Sequence, residues 1–251
     1  IRLFAGSGGP ELFSGKAFSE SSTEFVKSYT SEKKELQFRR DALRWKQKTN
    51  RKDAPRPHLW AAPEHPGQEE YKMNVLVTGG AGYIGSHTCV ELIEAGYTPI
   101  VIDNLSNSNP ESLRRVAEIT GKNVAFIEGD VRDESLLEKI FSEYEISCAI
   151  HFAGLKAVGE SVAKPMEYYQ NNLDATLTLC KVMARHNVKR IIFSSSATVY
   201  SGDNEMPLRE TSKTGNCTNP YGWTKYMGEQ ILRDIAKADP EWSVVNLRYF
   251  N

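Results

Sequence analysis

Tyr221 and Lys225 stand four residues apart in Y-G-W-T-K, at the start of a stretch with helical periodicity, so their side chains share one helix face. A phenol ionises at about 10, too high for a base at neutral pH, but a nearby ammonium favours the phenolate and is expected to lower that value. Tyr221 then becomes a proton acceptor. Ser196 closes a Ser-rich strand end and is placed to reach the same point with its hydroxyl. Alone, the Tyr/Lys pair reads more readily as two exposed side chains of a helix. Its weight comes from what the chain places beside it.

That partner is the stretch Asn74 to Gly85, N-V-L-V-T-G-G-A-G-Y-I-G. An aliphatic run stops at Gly79, and glycines recur at Gly82 and Gly85 before the pattern turns helical. This reads as strand, tight turn, helix. Such a turn lets backbone approach a pyrophosphate and aims helix N–H groups at the negative charge. The spacing is one residue longer than G-x-G-x-x-G, so the glycines alone also fit an ordinary strand-to-helix turn. Asp103, 24 residues after Gly79, closes the next apolar run, where a carboxylate meets an adenosine ribose.

The chain has 40% hydrophobic and 25% charged residues and a net charge of −1, an ordinary globular balance. No nucleic-acid or membrane partner is expected from it. Cys89, Cys148, Cys180 and Cys217 form no C-x-x-C pair and read as reduced thiols, which suits a cytoplasmic protein. No His/Cys/Asp/Glu cluster has metal-ligand spacing, so no metal is predicted; His151, at the end of an apolar run, reads as a packed histidine.

Residues 1–72 differ from the rest. They hold 14 Lys and Arg against 10 Asp and Glu, while residues 73–251 hold 17 against 22. One helix is predicted over about 30–48, followed by Pro-rich linker. No methionine precedes Met73, which adjoins the first strand. The segment is expected to be an extraneous or upstream-translated extension, mostly disordered, with a basic recruitment arm as the alternative. Residues 73–251 are expected to form the cofactor-binding domain.

From Met73 the pattern gives strands at 75–78, 98–103, 123–128, 148–152, 190–194 and 243–248, with helices between them. The segment after the fourth strand, 153–161, is read as a loop, and a helix is predicted to open at Pro110. Strands alternating with helices predict an α/β fold with a doubly wound parallel, Rossmann-like sheet, since parallel neighbours need crossover helices. Ligands on such sheets sit beyond the carboxyl ends of the strands.

The motifs T-G-G-A-G-Y-I-G-S-H, V-I-D-N-L-S-N-S, H-F-A-G-L-K-A-V-G-E-S, S-S-S-A-T-V-Y, N-P-Y-G-W-T-K and L-R-Y-F-N carry a resemblance. In order and spacing, residues 73–251 resemble the amino-terminal, larger part of the extended short-chain dehydrogenase/reductases, and within them the UDP-glucose 4-epimerases. The loop after the fourth strand is the motif most specific to that branch.

The resemblance implies an NAD site. Tyr83 and Ile84 touch the pyrophosphate beside Gly79, Gly82 and Gly85, and Asp103, Asn104, Leu105, Ser106, Asn107 and Ser108 surround the adenosine ribose. Asp130 and Val131 flank the adenine, and Phe152, Ala153, Gly154, Leu155, Lys156 and Asn171 line the rest. Tyr221 is then the base, Lys225 binds the nicotinamide ribose, and Ser196 assists proton transfer. Phe250 meets the nicotinamide end, and Asn251 joins Ser196 and Tyr221 at the UDP-sugar. The implied reaction interconverts UDP-glucose and UDP-galactose by inversion at C4, through a transient 4-keto sugar and tightly bound NAD. The Asp103 carboxylate disfavours the 2′-phosphate of NADP. A homodimer follows by analogy with the family's long helices.

Two departures stand out. Position 201 is Ser where the family has Gly, which predicts a shifted Ser196 loop. The sequence also stops at Asn251, where the family continues into a smaller substrate lobe, so most of that lobe is expected to be missing. Two alternatives follow: an inactive NAD-binding fragment, or a nucleotide-sugar 4,6-dehydratase. The second needs an Asp-Glu pair beside the catalytic hydroxyl, where this chain has Ala197 and Thr198.

Overall fold

The computed structural model describes residues 73–250. The expected extension, with its predicted helix over about 30–48, and Asn251 lie outside the described residues.

Six parallel strands form one sheet in the order β3-β2-β1-β4-β5-β6. In chain order they are β1 (Asn74–Thr78), β2 (Thr98–Asp103), β3 (Ala125–Glu128), β4 (Ile146–His151), β5 (Arg190–Ser196) and β6 (Ser243–Tyr249). The connecting helices are α1 (Tyr83–Glu94), α2 (Glu111–Thr120), α3 (Glu134–Glu143), α4 (Val158–Ala163), α5 (Pro165–Arg185) and α6 (Pro220–Ala238).

The alternation along β1 explains why both faces are covered. Leu76 points into one apolar cluster with Leu137, Leu179, Ile191 and Leu232 from α3, α5, β5 and α6. Val75 and Val77 point into the other, with Cys89, Ile93, Leu113 and Val116 from α1 and α2. Each such fully buried side chain contributes roughly 1.5–3 kcal/mol, so neither helical layer can leave the sheet cheaply. The strand order reverses between β1 and β4, and their carboxyl ends open a crevice at that switch point.

Several boundaries differ from the sequence reading. β5 extends to Ser196, and β6 to Tyr249, because the two remain paired in register through Ser196↔Tyr249. β4 starts at Ile146, which pairs with Asn74, and β3 is two residues shorter than expected. Pro110 caps α2 rather than opening it. Part of the segment read as a loop is helix α4. Its sequence lacks an apolar period; a tertiary tether holds it, since the buried Tyr168 hydroxyl donates to Glu160 at 2.9 Å and accepts the Ala157 N–H at 3.0 Å. The charged face of α3 is bound to α5: Glu134 accepts from Lys181 and Arg185, and Glu138 from Arg185 and His186.

Candidate active site

The turn between β1 and α1 is fixed by close backbone packing. A Cβ on Gly85 would lie 2.4 Å from the Gly79 carbonyl oxygen and 2.7 Å from Gly80 Cα, so no side chain fits there. α1 begins with Gly82 as its cap, and no side chain caps its first turn. Its N-terminal dipole end is therefore open to an anion.

Asp103, buried at the end of β2, locks this turn to the next loop. One carboxylate oxygen accepts the Ala81 N–H at 3.0 Å; the other accepts the Leu105 N–H at 3.0 Å and the Ser108 hydroxyl at 2.7 Å. Asp130 is held by Arg132 at 2.9 and 2.7 Å and by Asn104 at 3.1 Å. Arg132 first, against the opposing effect of partial burial, holds its carboxyl down at about 2.

At the other end, Asn219 caps α6 by accepting the Gly222 N–H at 2.8 Å, and Pro220 supplies a pre-set first turn that delivers Tyr221. Asn172 on α5 donates to Thr224 on α6 at 3.0 Å and clasps Leu155 through both its N–H and its C=O. The loop after β4 is thereby fixed to the helix that carries Tyr221. A Cβ on Gly228 would meet the Phe193 ring at 2.6 Å, so this glycine lets α6 lie against β5.

Lys225 is 5% exposed. Its Nζ lies 4.9 Å from the Phe193 ring centre and 6.0 Å from that of Tyr221, and makes no hydrogen bond or ion pair among the described residues. Burial lowers the ammonium to about 8. Ser196 Oγ accepts the Thr198 N–H at 3.2 Å and lies 3.0 Å from Thr198 Oγ1. The expectation of an acidified Tyr221 is corrected here: burial raises the phenol, and the Ser196 hydroxyl opposes that rise. Desolvation of a phenolate outweighs a cation six ångströms from the ring centre.

His151 is the packed residue expected. Its ring nitrogens lie 2.7 Å from Thr78 Oγ1 and 3.2 Å from Thr176 Oγ1, and burial first, then Lys225, lowers it to about 3. Ser201 does not need the left-handed backbone that favours glycine; its N–H donates to the Lys213 carbonyl at 3.0 Å and its hydroxyl binds Asp203. Nothing at position 201 displaces Ser196 from its hydrogen bonds with Thr198.

One cleft of ≈ 350 Å³ runs across the switch point and gathers nearly all the expected residues. Gly79, Gly82, Tyr83, Ile84 and Gly85 line it from the turn; Asp103, Asn104, Ser106, Asn107, Ser108, Asp130 and Val131 from the ends of β2 and β3. Phe152, Ala153, Gly154, Leu155, Lys156 and Asn171 line its middle, and Ser196, Tyr221 and Lys225 its far end. Two are elsewhere. Leu105 packs against the apolar cluster beneath α1 and α2, and Phe250 is exposed with its ring 6.0 Å from Tyr200. Ser194, Ser195 and Thr198 line it as well, and Gly129, Val158, Ala175 and Tyr249 do so without having been singled out. The extra pairing of β5 with β6 brings Ser195 and Tyr249 to the rim, a register that strand propensity does not reveal. Among the described residues, no group of three His, Cys, Asp or Glu side chains is arranged to hold a metal ion.

The pattern of the "NAD dependent epimerase/dehydratase family" matches residues 75–251. The chain belongs to that family. Within the family it is 60% identical over 179 residues to the UDP-glucose 4-epimerase of Bacillus subtilis, a match covering 71% of this chain and 52% of that protein. It is 56% identical over 183 residues to the human UDP-glucose 4-epimerase, covering 70% and 53%. The crystal structure of UDP-glucose 4-epimerase from Bifidobacterium longum in complex with NAD+ and UDP aligns with a TM-score of 0.71 at 61% identity, covering 71% of this chain and 53% of that one. The chain thus spans about half the length of the curated family members it matches. The matched half contains the whole cleft.

Proposed function

We propose that residues 73–251 form the NAD-binding, proton-transferring part of a UDP-glucose 4-epimerase, interconverting UDP-glucose and UDP-galactose. The observation that carries this reading is the buried Lys225 ammonium, without an ion-pair partner among the described residues, sharing one cleft with Tyr221, Ser196 and an open helix N-terminus. A buried cation without an anion is costly and calls for oxygen ligands from outside the protein.

The donor set fits NAD. The α1 N-terminus suits a pyrophosphate, and Asp103 retains one free lone-pair position for a ribose hydroxyl after its three protein contacts. Asp130 and Val131 border the adenine end, and Lys225 reaches for the second ribose. When bound, NAD supplies the acceptor and donor of hydride for sugar C4. Tyr221 takes the proton of the 4-hydroxyl and returns it, while the Ser196 hydroxyl hydrogen-bonds the same oxygen. Lys225 would hold ribose oxygens of the bound cofactor, and its charge would favour the phenolate against the burial that raises it. Relatives solved with UDP or with a formylated UDP-arabinopyranose support the substrate class, and the free cysteines suit a cytoplasmic setting. A homodimer and the absence of nucleic-acid or membrane partners remain part of the proposal. No described helix is long and apolar enough to cross a membrane.

The dehydratase alternative has no support at the site: Ala197 offers no acid, and Thr198 is engaged with Ser196. The shared length of about half favours one second reading, an NAD-binding half without turnover. The test is conversion of UDP-galactose to UDP-glucose by the 251-residue chain with NAD. Conversion is expected, with Tyr221→Phe slower by at least about a hundredfold yet still binding NAD. NAD uptake without any conversion would establish the second reading instead.

A further inference from the structure

Glu229 is a carboxylate 1% exposed, and the mechanism does not use it. It stands one helical turn below Lys225, which stands one turn below Tyr221, so 221, 225 and 229 form a single stripe along α6. Its oxygens accept Ser195 Oγ at 2.5 Å, Arg248 Nε at 2.8 Å and an Arg248 terminal nitrogen at 2.7 Å. Ser195 and Arg248 are register partners on β5 and β6. The Arg248 guanidinium also lies over the Tyr200 ring at 4.7 Å, just past the turn Ala197–Val199 that follows Ser196. One carboxylate therefore ties together the helix bearing Tyr221 and Lys225, the strand end bearing Ser196, and the turn that holds the Ser196 hydroxyl. A buried ion pair rarely adds stability over an apolar pair of the same volume, so its value here lies in fixing geometry.

We propose that Glu229, acting through Ser195 and Arg248, is the positioning residue that sets Ser196 against Tyr221. The inference rests on the reading of Tyr221 as the base. The experiment compares the 251-residue chain with Ser195→Ala and with the double variant Glu229→Gln, Arg248→Met, which removes both buried charges together. Three quantities are read: NAD uptake by calorimetry, ultraviolet difference titration of the phenol with Tyr221→Phe as blank, and kcat and KM for UDP-galactose. The other titrating groups close to the phenol, Lys225 and Tyr168, are left in place.

NAD uptake is expected to stay within about twofold, the phenol midpoint to rise as Ser196 drifts away, and kcat to fall about tenfold or more at unchanged KM. A phenol midpoint and kcat like those of the unmodified chain overturn the assignment. A fall of kcat in step with lost NAD uptake overturns it too, because it marks a purely structural contact. Should the double variant not fold, Ser195→Ala, which strands no buried charge, decides alone. Absence of turnover in the unmodified chain counts against the epimerase reading only, and the phenol titration then decides the positioning role.

Discussion

Lys225 shows at the level of one residue how this site trades stability for chemistry. Its ammonium is harder to keep in the fold than in the unfolded chain, with a value of about 8 against the ordinary 10.5. Below about 8 both states are charged and the fold carries the full desolvation cost, on the order of 3 kcal/mol. Between about 8 and 10.5 the folded chain has released a proton that the unfolded chain keeps, so stability rises with pH across that window. Lys225→Met is therefore expected to raise the thermal midpoint at pH 7, without added NAD, by roughly 5 °C. That gain should shrink toward pH 10.5 in a melting series. The same substitution is expected to weaken NAD binding, measured by calorimetry. The Tyr/Lys pair was legible in the sequence because four-residue spacing is a helical constant. The raised phenol was not, since desolvation depends on what the folded chain places around it.

Among the elements, the turn from β1 to α1 has least room to change. Gly85→Ala forces a methyl group against the Gly79 carbonyl and Gly80 Cα. The expected loss is about 2–4 kcal/mol of stability by urea denaturation, with NAD binding abolished because the turn no longer presents its N–H groups. The six strands, their parallel arrangement and the glycine turn were written in apolar runs alternating with helical stretches and in their spacing. What stayed hidden was non-local. α4 depends on Tyr168 reaching back to Glu160 and Ala157, and β5 lengthens only because β6 pairs with it. Glu229 reads in sequence as one more charge on a helix, and only the convergence of Ser195 and Arg248 shows it to be buried.

For the molecule as a whole, the described residues form a doubly wound sheet whose switch-point crevice gathers residues from all six sequence motifs. The family match covers residues 75–251, and the relatives extend to about twice the matched length. The relatives carry the substrate choice, whereas this chain's own side chains build the cleft proposed to hold NAD. The measurement that tests it most directly is calorimetric titration of the 251-residue chain with NAD and, separately, with NADP. One NAD per chain is expected, with NADP weaker by at least about tenfold because the Asp103 carboxylate repels a 2′-phosphate. No saturable uptake of NAD, or equal affinity for the two, would contradict the account.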